Sequence, residues 1–138
     1  MPGYSGTPLP KKLGIKDGFR VCLVDSPQEV NKELKPSLDK CEIAHDGKVP
    51  LDFAIVFTKS KAALAKEFKQ ISRQLAPAGM LWVSWPKKSS GVASDLDENI
   101  VREVGLAAGL VDVKVCAVTE VWSGLKFVRR LKDRKKDR

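Results

Sequence analysis

Five consecutive residues, Lys87-Lys88-Ser89-Ser90-Gly91, put two cations, two hydroxyls and a glycine into one short loop. That set suits a phosphate or a carboxylate, because ammonium and hydroxyl groups donate hydrogen bonds and glycine lets the backbone turn its amides toward an anion. It is not a Walker loop, since Gly-x-x-x-x-Gly-Lys-Ser/Thr is absent. Asp25 with Ser26, Thr58 with Lys59, and Trp85 each end or follow an apolar run that reads as a strand, and so do His45 and Asp46. Ligands of open parallel sheets bind beyond the carboxyl ends of the strands, so these residues and the lysine-serine loop form one predicted crevice. Lys59 also precedes a helix start at Ser60, whose amides offer a second anion contact. Asp95, Asp97 and Glu98 oppose this by crowding negative charge at the start of the next helix. The competing reading of Lys87 and Lys88 is a solvated surface loop.

Other chemistries find less support. His45 is the only histidine, and no Ser-His-Asp or Cys-His set can be assembled around it. Cys22, Cys41 and Cys116 are widely spaced, with no Cys-x-x-Cys pair, so no metal site is expected. Each lies in a strand-like run and reads as a reduced, buried, small apolar residue.

The elements that would position the crevice follow in order. Thr7 as cap, Pro8 at the first helical position and Gly14 as a left-handed stop predict a short opening helix. Phe19 to Val24 is the first strand. Ser26 as N-cap, Pro27 and Glu29 form a capping box for a helix with Val30 and Leu34 inside, expected to stop before Pro36. Cys41 to His45 is a weak second strand, Asp46-Gly47-Lys48 a turn, and Asp52 to Phe57 a third strand apolar on consecutive positions, as when helices cover both faces. Ser60 caps a helix with Leu64, Phe68, Ile71 and Leu75 inside, ending in Ala76-Pro77-Ala78-Gly79. Met80 to Trp85 is the fourth strand, with Trp82 and Trp85 on opposite faces, Trp82 in the core and Trp85 better placed to line a pocket. Asp95 or Ser94 caps a helix with Ile100, Val104 and Ala107 or Ala108 inward and Gly109 as its stop. Val111 to Thr119 and Leu125 to Arg130 alternate as an antiparallel hairpin around an exposed Trp122. The class is α/β, a three-layer Rossmann-like, mostly parallel sheet with a C-terminal antiparallel hairpin.

The charge is unevenly spread. Of the net +8, the last ten residues carry +5, with seven basic against two acidic. The expectation is one domain over residues 1–130 and a frayed basic tail over 131–138. The tail can bind nucleic acid through counterion release, or serve only solubility. No run approaches the roughly 18 apolar residues of a membrane span, and the N-terminus lacks the apolar core of a signal peptide, so a cytoplasmic protein without membrane contact is expected.

Lys16-Asp17-Gly18-Phe19-Arg20-Val21, Leu51-Asp52-Phe53, Leu75 to Val83 and the terminal hairpin together resemble landmarks of the class I S-adenosylmethionine-dependent methyltransferase fold. The resemblance implies a sheet order of 2-1-3-4-6-5 with strand six antiparallel, in a shortened version missing one βα unit between residues 46 and 51. Tyr4 to Leu9 with Lys12 to Ile15, Trp85 to Lys88 with Ser90 to Val92, and Val101 to Leu106 onward to Leu125 also resemble a family of small bacterial proteins catalogued as a domain of unknown function, which implies a fold but no activity. The methyltransferase resemblance implies S-adenosylmethionine as cofactor, with Asp46 as a stand-in for the acidic ribose contact. However, the turn Asp25-Ser26-Pro27-Gln28-Glu29 holds none of the glycines against which the cofactor's methionine part lies. The reading is therefore a non-catalytic binding module without a resident cofactor, recognising an anionic small ligand or an acidic protein partner. Methyl transfer and nucleic-acid binding through the tail are the alternatives.

Overall fold

In the computed structural model, residues 6–44 and 50–134 are described. Helix α1 (Leu9–Leu13) leads into β1 (Arg20–Val24), α2 (Gln28–Leu38), β2 (Glu42–Ile43) and β3 (Leu51–Phe57). Helix α3 (Lys61–Ser72), β4 (Leu75–Pro86), a 3₁₀ turn (Lys88–Ser90) and α4 (Glu98–Ala107) follow, then β5 (Leu110–Ala117), β6 (Trp122–Arg129) and a short α5 (Leu131–Arg134). The strands form one sheet in the order β2-β1-β3-β4-β6-β5. β2, β1, β3 and β4 pair in parallel, β6 runs antiparallel to β4, and β5 antiparallel to β6. The expected order and direction hold throughout. β2 ends at Ile43 and β3 starts at Leu51, which leaves no room for a further βα unit between them.

Each face of the sheet carries its own apolar layer. Alternate residues of β3 explain why its run is continuous: Phe53, Ile55 and Phe57 pack with α1 and α2, whereas Ala54 and Val56 pack with α3 and α4. β4 does the same, placing fully buried Trp82 on the first face and Trp85 on the second. Trp82 also donates its indole N–H to the carbonyl of Leu13 at 2.9 Å, which satisfies the one polar group it buries and ties α1 to the sheet centre. Gly14 follows at φ 93, a left-handed stop where a Cβ would meet Met80 Sδ at 3.3 Å.

Several boundaries differ from the sequence reading, each for a physical reason. Thr7 does not cap α1; Pro8 is its N-cap residue and supplies no side-chain hydrogen bond. In α2, Pro27 rather than Ser26 is the N-cap residue, and no capping box forms. α2 also runs through Pro36, because Leu38 continues the Val30 and Leu34 stripe onto the same apolar layer and Pro36 itself faces solvent. Leu75 belongs to β4, not α3: it pairs with Leu51 before Met80 pairs with Phe53, so four residues of β4 stand against Asp52 alone in β3. Ala76-Pro77-Ala78-Gly79 is this bulge, and a Cβ on Gly79 would stand 2.5 Å from the Leu51 carbonyl oxygen.

The C-terminal half shows similar shifts. The N-cap of α4 is Asp97, which accepts from Ile100 N at 2.9 Å; its innermost residues are Val101 and Gly105, with Ile100 and Val104 only partly covered. The register of β5 slips between Asp112 and Lys114, and Val113 and Val115 are 53% and 49% exposed, because β5 is the sheet edge. Trp122 is half-buried and stands edge-on to Phe57, with ring centroids 5.3 Å apart. The cysteines are free and half-buried rather than fully buried. No described helix is long and apolar enough to cross a membrane.

Candidate functional site

Strand register fixes what meets at the carboxyl edge. Val24 of β1 pairs with Val56 of β3, and Phe57 with Ser84 of β4, so the residues just beyond them come out side by side. Asp25 and Ser26, Thr58 and Lys59, and the segment from Trp85 to Ser90 therefore share one end of the sheet. His45 and Asp46, assigned to the same edge from sequence, lie outside the described residues.

The expected residues do not contribute equally. Trp85 is 5% exposed and packs in the α3/α4 layer, so it is a core residue rather than a pocket wall. Ser90 is also committed: its hydroxyl donates to Lys87 O at 2.6 Å and accepts from Val92 N at 3.2 Å, closing the 3₁₀ turn on itself. Gly91 ends that turn at φ 79. Thr58 Oγ1 bonds both Ser60 O and Ser60 N, shaping the entry to α3. Lys59, Lys88 and Ser89 are exposed and Lys87 is half-buried. The side chains of Lys59, Lys87 and Lys88 have no ion-pair or hydrogen-bond partner among the described residues.

The acidic residues that crowd this region in sequence are occupied. Asp95 accepts from Lys61 N at 2.7 Å, Asp97 caps α4, and Glu98 pairs with Arg102 at 2.6 Å. Arg102 also bonds Asp112 at 2.9 Å, fastening α4 to β5 and holding the Asp112 carboxyl below its usual range. Asp95 has a further consequence. With Ser60 Oγ accepting from Ala63 N, the first turn of α3 is served by the chain's own oxygens, so the anion contact expected at Lys59 and Ser60 is filled from within. Asp95 N and Ser94 Oγ both bond the Lys59 carbonyl, at 3.2 and 3.0 Å, and strap the segment after the lysine loop across the end of β3. Residue pattern carries little sign of this lock, which spans 34 residues; a serine and an aspartate ahead of a helix read first as its caps. Lys87 N bonds Val121 O at 2.8 Å, so the β5–β6 turn supports the loop from the other side.

The turn after β1 is unusual in two ways. Asp25 is the one described non-glycine residue at positive φ, at 55°, and such a conformation costs an L-residue roughly 1 kcal/mol or more. The Oγ of Ser26, next to it, is buried without a hydrogen-bond partner among the described residues, which costs a further ~1–3 kcal/mol. Strain and an unpartnered hydroxyl thus meet at one strand end. Burial, with Glu67 nearby, pushes the Cys22 thiol up and so disfavours its thiolate.

With this geometry in place, the chain can be set beside known proteins. It is similar to the magnesium protoporphyrin IX methyltransferase of Synechocystis PCC 6803 with bound SAH, at 12% identity and a TM-score of 0.57, over 88% of this chain and 78% of that one. It is similar to a SAM-dependent methyltransferase from Aquifex aeolicus at 18% identity and a TM-score of 0.55, over 85% of each chain. A third likeness is the Methanococcus jannaschii fibrillarin pre-rRNA processing protein, at 10% identity and a TM-score of 0.53, over 91% of this chain and 70% of that one. The fold is the methyltransferase-like Rossmann fold. No protein-family model and no curated protein matches the chain.

The residues fit S-adenosylmethionine poorly at the turn after β1. Asp25 places a Cβ and a carboxylate where this fold uses glycine, and Pro27 offers no amide hydrogen. Ser26 Oγ is the feature in its favour.

Proposed function

We propose that this methyltransferase-like domain is a binding module that holds a small anion of the phosphate or carboxylate class at its strand-end crevice. Lys87 and Lys88 are the principal contacts, Ser89 and the free Ser26 hydroxyl the neutral donors, and Lys59 the flanking cation. The observation that carries the reading is the imbalance of commitments: the lysines are unpaired among the described residues, while Asp95, Asp97 and Glu98 are each held by another group. Because Asp95 fills the α3 N-terminus, the anion is held from the β4 side by side-chain cations rather than by helix amides.

Isothermal titration with pyrophosphate, nucleoside triphosphates and sugar phosphates tests this. Lys87→Ala and Lys88→Ala are each expected to weaken binding by about tenfold, the loss of one charge-assisted contact of about 1.5 kcal/mol. Unchanged affinities in both variants would remove the loop from the site.

The likeness to a methyltransferase with bound SAH favours a second reading, an enzyme that uses S-adenosylmethionine. The free hydroxyl of Ser26 and the strained Asp25 would then face the cofactor. A thermal shift with S-adenosylmethionine or S-adenosylhomocysteine that survives Lys87→Ala and Lys88→Ala would favour it over the anion module; no shift at saturating concentration would dismiss it.

A further inference from the structure

β6 is an inner strand, and Lys126 is an unusual residue to find on it. The register sets Lys126 opposite Trp82 of β4 on one side and opposite Lys114 of β5 on the other. Residues directly opposite in an antiparallel pair project to the same face with Cβ atoms about 5 Å apart, so Lys126 stands between a fully buried indole and a second ammonium group. Two like charges in that position oppose folding rather than aid it. A lysine on β5 has an ordinary use, since charge on an edge strand discourages pairing with another chain. Lys126 has no edge to guard. The other ordinary use of such a lysine is a stem laid along apolar surface with its ammonium carried out to water. Lys126 is half-buried instead, and burial, with the Lys114 charge, pushes its ammonium below the usual lysine range.

The groups around it are committed elsewhere. Lys114 donates from Nζ to Lys12 O at 3.4 Å, Lys12 donates from Nζ to Ala117 O at 2.7 Å, and Trp82 bonds the next carbonyl, Leu13 O, so α1 closes over this part of the face. Cys116 lies on the same face two residues after Lys114, and burial pushes its thiol up although Lys12 and Lys114 favour the thiolate. No carboxylate pairs with Lys114 or Lys126 among the described residues, and Lys126 makes no hydrogen bond there either. One unpartnered amine is thus held beside one fixed cation.

We propose that Lys126 is a carbonyl-capturing amine, which takes a small aldehyde bearing an anionic group into a reversible imine, with Lys114 as the contact for the anion. An amine held partly out of water and beside another cation is more readily neutral, and only the neutral amine attacks a carbonyl. The Nζ lone pair forms the C–N bond while the carbonyl π pair moves to oxygen, and a proton passing from nitrogen to that oxygen gives the carbinolamine. The nitrogen lone pair then expels hydroxide, which takes the remaining N–H proton, so one water leaves and a C=N bond remains. No oxidant or reductant is consumed. The imine removes the charge of Lys126 and the anionic group answers that of Lys114, so capture relieves the like-charge pair that the fold leaves between β5 and β6.

The test treats the full chain with equimolar pyridoxal 5′-phosphate, an aldehyde carrying a phosphate, then reduces with sodium borohydride and maps the label by mass spectrometry of peptides. Reduction fixes an imine, so a thiol adduct at Cys116 adds nothing to the signal. Lys126 is expected to take up the label ahead of every other lysine. Lys126→Arg, which keeps the charge, should remove that label and leave the thermal melt unchanged. Lys114→Gln should lower labelling of Lys126 by about tenfold, the loss of one charge-assisted contact, and should affect labelling by pyridoxal, which lacks the phosphate, much less. Lys87→Ala/Lys88→Ala should leave the label on Lys126 as it is. A label spread over the lysines according to their exposure, a label concentrated on Lys87 or Lys88, or a Lys114→Gln variant that labels as well as the wild type or loses both probes equally would each overturn the proposal.

Discussion

Gly105→Ala sets two effects of opposite sign against each other. Gly105 is in the interior of α4, where replacing glycine by alanine ordinarily stabilises a helix by ~1 kcal/mol. Here a Cβ would stand 2.0 Å from Phe127 Cε2 and 2.5 Å from Cδ2 and Cζ. Phe127 cannot retreat freely, because it is fully buried and stands edge-on to Phe68 at 5.1 Å between centroids. An ordinary carbon contact needs ~3.5 Å, so the ring or the helix must move by about 1.5 Å within a layer packed at crystal density. Overpacking of that size costs roughly 3 kcal/mol, the upper end of its usual range, and the net effect is a loss of about 2 kcal/mol. For a chain of 138 residues this lowers Tm by about 8 °C, measured by calorimetry and checked by urea unfolding. The same substitution placed in a Phe127→Leu background should be neutral or stabilising relative to Phe127→Leu alone, since the clashing ring edge is gone. A Tm for Gly105→Ala equal to or above the wild type would refute the close approach of α4 to β6.

Two further outcomes follow from polar contacts. Asp95→Ala removes the carboxylate on the Lys61 amide, and is expected to lower stability by about 1 kcal/mol while tightening pyrophosphate binding, because it uncovers the α3 N-terminus and removes a negative charge; weaker binding on titration would show that Asp95 shapes the loop instead of competing with the ligand. Arg102 hydrogen-bonds the Asp112 carboxylate and holds its folded-state pKa below the unfolded value, so this contribution to stability is present above the ordinary aspartate range and lost as pH falls through the lowered value. Thermal melts between about pH 5 and pH 2 should therefore fall less steeply for Asp112→Asn than for the wild type, and parallel acid limbs would contradict the assignment.

The fold was legible in the sequence wherever burial on both faces dictated residue type. β3 and the central part of β4 read directly, since an unbroken run such as Phe53-Ala54-Ile55-Val56-Phe57 has few uses other than a strand between two helical layers. The order of the strands and the hairpin direction followed from those runs together with the likeness to the methyltransferase fold. Errors arose where tertiary contacts override local rules. Pro36 is a helix breaker on its own, yet Leu38 gains enough from the apolar layer to carry α2 past it. Pro77 and Gly79 read as the end of a helix, but they form a bulge that only the pairing of Leu75 with Leu51 reveals. The valines of β5 alternate as if one face were buried, although an edge strand leaves Val113 and Val115 largely in solvent.

The site was less legible because its decisive features are absences of partners, which no residue pattern encodes. The lysine-serine loop could be named from composition, but composition counted Asp95, Asp97 and Glu98 against it at full weight. Only the contacts show that each carboxylate is engaged: with the α3 amide, the α4 amide and the Arg102 guanidinium. The same contacts remove Ser90 and Trp85 from the set that faces a ligand and leave Lys59, Lys87, Lys88 and Ser89. A crevice edged by a few uncommitted lysines suits a small anion.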